Sequence, residues 1–282
     1  MGRSVEPVNR KEPDALEVPL LGGDLTEGLV RVGETVRRPR IAESDLIEAL
    51  LLYLQRCRFD GAPRFLGIDD AGRQVLSFVH GEVAGRPWPD WVADDQRILS
   101  VARLVRRYDD AAQGFGLPPV PAAAVDPGPA GIPASTMGPA TFVGHMDICP
   151  ENVVFRDGQA WALIDFDLAR PTNRLREVCS MLLWWAPLMP AQDREGSVRH
   201  LDVFARAALM VSAYGLAKAD RALIAPAILN STERTWHAMR HRAVQRGGPW
   251  QRLWDEGLGE RLIRRRQWLE HHFTELHQAV TS

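Results

Sequence analysis

Residues 141–170 read TFVGHMDICPENVVFRDGQAWALIDFDLAR, and this stretch limits what the chain can become more than any other. Asn152-Val153-Val154-Phe155 and Trp161-Ala162-Leu163-Ile164 are short apolar runs separated by Arg156-Asp157-Gly158-Gln159. Two apolar runs about an Asp-Gly turn predict a β-hairpin. Antiparallel pairing sets the start of the first strand against the end of the second. Asn152 and Asp165 are then expected within about two residues of each other across the ladder, roughly 7 Å or less at strand rise. Asp147 lies on the loop just upstream, where Pro150 prevents a regular approach. Asp147, Asn152 and Asp165 therefore converge at one end of a buried hairpin, with Asp167 close by.

Hard oxygen donors gathered this way suit Mg²⁺ bound jointly with a phosphate-bearing substrate. The chain has 282 residues, enough for a substantial core in one large domain or two lobes. Its net charge of -2 and pI near 6.5 give no global argument for nucleic-acid or membrane partners. Cys57, Cys149 and Cys179 are odd in number and lack metal-type spacing, which predicts a reduced, cytoplasmic setting. MGRSVEPVNRKEP has no apolar signal core, and MLLWWAPLM at 181–189 is too short to span a bilayer. Oligomeric state is not legible in the sequence.

Along the chain, Val18–Leu21 predicts a strand followed by Gly22-Gly23, and residues 29–38 predict a hairpin around Gly33. Gly22 and Gly23 would let backbone amides approach a phosphate, although an ordinary turn explains them as well. A helix capped by Ser44 is predicted over 45–56, with Leu46, Ile47, Leu50, Leu51 and Leu54 on one face. Two strands follow, in 64–69 and 74–81. GEVAGRPWP at 81–89 reads as a hinge between a lobe at 1–82 and a lobe at 83–282. A long amphipathic helix is predicted over 94–113, a proline-rich loop over 117–139, and helices over 174–186, 193–214, 218–229, 231–246 and 257–279.

His145-x-Asp147-x-x-x-x-Asn152, the hairpin, and Ile164-Asp165-Phe166-Asp167 together resemble the catalytic core of aminoglycoside phosphotransferases and related small-molecule kinases. The element order fits that resemblance from about Val18 to Tyr214. It implies a protein-kinase-like α+β fold, with a small antiparallel-sheet N-terminal lobe and a larger, mainly helical C-terminal lobe. It further implies ATP or GTP as co-substrate, Mg²⁺, and a small-molecule hydroxyl as acceptor. Asp147 would be the catalytic base, His145 a brace for its loop, and Asn152 and Asp165 ligands of Mg²⁺. Asp167 reads equally as a further ligand or as a solvated carboxylate at a strand end.

One departure from the family pattern stands out. Kinases of this group usually carry a phosphate-binding lysine on the third strand, and this chain has lysine only at positions 11 and 218. Arg37 takes that place, with Arg38 the alternative if the register slips by one residue. Glu48 is the candidate to pair with it, or else a first-turn carboxylate favoured by the helix dipole. The arginine-rich C-terminal segment argues against a cationic aminoglycoside as acceptor. The missing lysine also motivates an alternative: a catalytically weak, kinase-like immunity protein that sequesters a small molecule or toxin. A metal-dependent hydrolase ranks below both, because 141–170 offers no second histidine ligand.

Overall fold

A computed structural model of the chain describes residues 16–20, 28–118 and 131–282. Five antiparallel strands, in the order β1-β2-β3-β5-β4, form the smaller lobe. They are β1 (Val18–Pro19), β2 (Val30–Val32), β3 (Thr35–Arg38), β4 (Phe65–Ile68) and β5 (Gln74–Ser77). Gly33, at φ 57°, makes the tight turn between β2 and β3, which a side chain would strain. Helix α1 (Ser44–Arg56) connects β3 to β4 and buries Ile47, Leu50, Leu51 and Leu54, the face expected from helical spacing. Ser44 does not cap it. Its hydroxyl instead accepts from the Ile41 amide at 2.8 Å, tightening the loop before the helix.

The segment after β5 is pinned to the larger lobe rather than hanging free. The Glu82 amide donates to Phe155 O at 2.8 Å, and the Phe155 amide returns a bond to Glu82 O at 2.7 Å. Gly81 makes this approach possible: a Cβ there would lie 2.4 Å from Phe155 O. The sheet lobe therefore joins the second half at the predicted hairpin itself.

That hairpin is β7 (Val153–Arg156) and β8 (Gln159–Leu163), turning through Asp157 and Gly158, both at positive φ. Positive φ at both central residues matches the right-handed strand twist, which is why Asp-Gly is favoured there. A second small pair, β6 (Phe142–Gly144) with β9 (Arg170–Thr172), flanks it. Helix α2 (Asp95–Gln113), capped by Asp94 through the Gln96 amide, packs beneath both pairs. Its Tyr108 hydroxyl donates to Val143 O at 2.9 Å, fixing β6 on the helix.

The helices that follow are α3 (Arg174–Trp185), α4 (Val203–Tyr214), α5 (Lys218–Arg221), α6 (Ile224–Arg246), α7 (Gly248–Leu253), α8 (Gly259–His271) and α9 (Phe273–Thr281). Three expected boundaries differ. The helix expected from 193 begins at Val203, because Asp202 caps it through the Phe204 and Ala205 amides. The predicted break near 230 is absent. Asn230 stays helical and uses its amide side chain on Ala134 O and the Thr136 amide. The last predicted helix is divided, with Gly257 at φ 86° preceding α8 and His272 separating α8 from α9. The core centres on Trp185, Tyr108, Tyr214, Phe142 and Phe155. Arg206 staples it by donating to Trp185 O, Ala93 O and Val92 O. No described helix is long and apolar enough to cross a membrane.

Candidate active site

Pairing of Val153 with Leu163 places Asn152 and Asp165 where the hairpin reading expected them. The Ile164 amide donates to Asn152 O at 2.9 Å and closes the open end. Asn152 ends a short 3-10 turn begun by Pro150, and its side-chain amide reaches back to Asp147. It donates to Asp147 O at 2.9 Å and to Asp147 Oδ2 at 3.0 Å. Asp165 takes φ 61°, a left-handed conformation costing a non-glycine residue roughly 1 kcal/mol. The structure thus brings Asp147, Asn152 and Asp165 together.

Burial first, and crowding of carboxylates second, govern the electrostatics of the cleft. Burial, followed by the charges of Asp165 and Glu151, pushes the Asp147 carboxyl up to about 7, against the opposing Asn152 hydrogen bond. Asp165 is raised for the same leading reason, with Asp167 adding to the rise and Arg38 opposing it.

His145 is fully buried. The Asp147 amide donates to its Nδ1 at 3.3 Å, and its Nε2 lies 2.9 Å from Ile164 O. Neutral imidazole offers one acceptor and one donor, so this network assigns the proton to Nε2. Burial holds the ring's pKa down to about 4, which keeps it neutral. His145 is therefore a strut joining the Asp147 loop to the end of β8.

Sequence reasoning missed Glu177. On α3 it accepts from the His145 amide at 2.7 Å and from the Met146 amide at 3.3 Å, holding Met146 at φ 64°. Gly144 makes room for it, since a Cβ there would lie 2.7 Å from Glu177 Oε2 and 2.3 Å from Thr172 Cγ2. The available signal was a carboxylate among the apolar positions of α3: Leu175, Val178, Cys179 and Met181.

Burial pushes the Glu177 carboxyl from 4.5 up to about 7. An acid with a raised folded pKa binds more protons folded than unfolded between those values. Stability then falls as pH rises through that window. Glu177→Gln should flatten the fall by on the order of 1 kcal/mol, read as Tm against pH in metal-free buffer. An unchanged pH dependence would remove this assignment.

Across the cleft, the structure places Arg38 rather than Arg37 at the site. Its side chain is 4% exposed, with Nη1 3.4 Å from Asp165 Oδ1 and Nη2 in a close ion pair with Asp167 Oδ1. Adjacent residues of a strand face opposite ways. Arg37 therefore points to the other face, where its Nε stands 3.8 Å from Asp69 Oδ2. Glu48 pairs with neither. It accepts from Arg40 Nε and from Gln74 Nε2, each at 2.9 Å. Gln74, buried on β5, is the cross-strand partner of Arg38 and carries Glu48 beside it. Gly22 and Gly23 lie outside the described residues.

No set of three or more His, Cys, Asp or Glu side chains suited to hold a metal ion alone occurs among the described residues. An ion shared with phosphate oxygens needs only one or two protein carboxylates. The donor chemistry fits: Asp147 and Asp165 are half-buried acids whose charges repel each other.

A model of the phosphotransferase enzyme family matches residues 129–210, which contain the whole Asp147 loop and hairpin. A trifolitoxin immunity protein of Rhizobium leguminosarum bv. trifolii is 30% identical over 215 residues, covering 73% of this chain and 76% of that protein. The chain belongs to the phosphotransferase enzyme family. Solved structures share its fold. A choline/ethanolamine kinase family protein from Mesorhizobium loti superposes with a TM-score of 0.57 at 13% identity, over 92% of this chain and 91% of that one. Amicoumacin kinase hAmiN, solved with AMP-PNP and Ca²⁺, gives 0.52 at 11% identity over 91% and 87%. This phosphotransferase-family member thus keeps a bilobal α+β architecture, and within it Arg38 approaches Asp165 and Asp167 directly.

Proposed function

We propose that the protein transfers the γ-phosphate of ATP or GTP to a hydroxyl of a small molecule. The single observation that carries this reading is the meeting of Asp147, Asn152 and Asp165 at the hairpin's open end, faced by Arg38. Asp147, with its carboxyl near pH 7, is matched to accept a hydroxyl proton under physiological conditions. As that proton moves to the carboxylate, the freed oxygen bonds to the γ-phosphorus, and the bond from phosphorus to the β-phosphate bridging oxygen breaks. His145 and Glu177 hold the loop so that Asp147 needs no rearrangement. Asn152 and Asp165 would hold Mg²⁺, which supplies charge neutralisation for the transferring phosphate when bound. Asp167 anchors Arg38, whose planar fork serves as the phosphate clamp in place of lysine.

In this reading the sheet lobe, up to about residue 82, contributes the clamp, and the remainder contributes base, metal ligands and acceptor face. The protein belongs in the cytoplasm, where nucleotide is available. Incubation with Mg²⁺, γ-labelled ATP or GTP and a panel of alcohols tests the proposal, with Tm read alongside. Absence of label transfer together with no nucleotide-dependent rise in Tm would end it.

A second reading is a catalytically weak immunity factor that sequesters its target. Two observations favour it: the grip of Arg38 on both carboxylates, and a relative named for trifolitoxin immunity. Protection of cells that survives Asp147→Asn supports this reading. Protection lost with that variant returns the role to phosphoryl transfer.

A further inference from the structure

The connector between the two lobes runs along the stretch that carries Asn152 instead of swinging free of it. Glu82 and Phe155 exchange backbone bonds in antiparallel sense. Four residues further along the connector stands Arg86, and its partner Glu151 lies four residues before Phe155. Equal and opposite steps are what antiparallel segments make, so the contact continues from the hairpin down to the turn before it. The upstream end is fastened as well. Arg156 Nε donates to His80 O, and Arg97 Nη1 to Glu82 Oε2, each at 2.8 Å.

At its far end the contact converges on one oxygen. Trp88 Nε1 donates to Glu151 Oε1 at 2.9 Å, and Arg86 Nε forms a close ion pair with the same atom. Trp88 is 6% exposed and meets the Trp184 ring of α3 edge-on, with centroids 6.5 Å apart. A ring fixed by packing presents its N–H in one direction, and a carboxylate acceptor strengthens the bond it makes. Glu151 is the middle residue of the turn Pro150–Asn152, so fixing its side chain fixes that turn. The next side chain is that of Asn152, which donates to Asp147 O and Asp147 Oδ2. Contacts therefore run without a gap from Trp88 through Glu151 and Asn152 to Asp147.

We propose that Glu151 is a positioning residue: held by Trp88 and Arg86 of the connector, it sets the turn from which Asn152 orients the Asp147 carboxylate. It acts through Asn152 and not on the substrate. The role rests on the phosphotransferase reading, because the rate of transfer is what such placement serves.

Steady-state rates of the full chain with Mg²⁺, γ-labelled ATP or GTP, and the alcohol of the panel that accepts label fastest test this. Glu151→Ala should lower kcat about 10- to 100-fold, the cost of misplacing a group beside the reacting atoms. The nucleotide-dependent rise in Tm without Mg²⁺ should persist, since Arg38 stands on the other lobe. Glu151→Gln keeps an oxygen for the Trp88 donor and should hold kcat within about fivefold of the parent. Trp88→Phe keeps a packed ring, loses the donor, and should slow transfer as Glu151→Ala does. The double variant should be no slower than the slower single one, because both break the same link. Glu195→Gln, whose carboxylate stands 3.9 Å from Arg86 Nη1 in a half-exposed pair, should leave kcat unchanged. The proposal is overturned if Glu151→Ala keeps kcat within about threefold, if Glu151→Gln is as slow as Glu151→Ala, or if KM for the nucleotide rises as much as kcat falls. Should Glu151→Ala not fold, a loss in Trp88→Phe that Glu151→Gln does not share supports the role, and equal rates in those two overturn it. No transfer by the parent chain would end the phosphotransferase reading and this role with it. Transfer by the parent that is unaltered in the variants would end this role alone.

Discussion

Replacing Asp147 with asparagine is expected to slow phosphoryl transfer by about 100- to 10,000-fold while leaving the nucleotide-dependent rise in Tm close to that of the unaltered protein. The substitution keeps size and hydrogen-bonding shape. Asn152 Nδ2 can still reach the backbone carbonyl at 147 and the side-chain oxygen that remains. The ability to take a proton is lost. Because burial and the neighbouring acids lift the Asp147 carboxyl to about 7, the variant also removes a buried, repelled charge above that pH. Asp147→Asn should therefore be at least as stable as the parent near pH 8, so lost activity cannot be ascribed to unfolding. A fall in rate of less than about tenfold would show that Asp147 is not the base.

Arg38→Ala should lower stability by on the order of 2–4 kcal/mol in metal-free buffer and weaken nucleotide binding by about 10- to 100-fold. Arg38 is the buried cation against Asp165 and Asp167, and its removal leaves two adjacent carboxylates facing each other. Breaking one side of a buried pair costs more than forming the pair gains, because the surviving charge stays desolvated. Mg²⁺ should restore part of the lost Tm in this variant, since a divalent cation can take over the neutralisation. Arg37→Ala is the control: its partner Asp69 lies on the other face, bonded by Arg73. Should Arg37→Ala lower nucleotide affinity as much as Arg38→Ala, the clamp would have been placed on the wrong residue.

The difference between Arg37 and Arg38 marks the limit of legibility in the sheet lobe. Strand β3 is short, and its apolar pattern fits two registers one residue apart. Such a slip exchanges every side chain between faces. Only the pairing of Arg38 with Gln74, and of Arg37 with Val75, decides which arginine enters the cleft. Glu48 failed to take its expected partner for a related reason: Gln74 and Arg40 reach it first. The larger lobe was easier to read at the hairpin and harder among the helices. Helix ends there are set by contacts remote in sequence, such as that of Asn230 with residues 134 and 136. Glu177 was invisible as a functional residue because its role is a distance, 2.7 Å to an amide 32 residues earlier.

What the sequence determined by itself is the Asp147, Asn152 and Asp165 convergence. An Asp-Gly turn between two apolar runs admits one local pairing, and that pairing fixes which ends meet. Tertiary structure alone decided what faces and braces that group: Arg38 across the cleft and Glu177 beneath the loop. Both depend on strand register, helix packing and burial, which are properties of the whole chain rather than of any local run of residues.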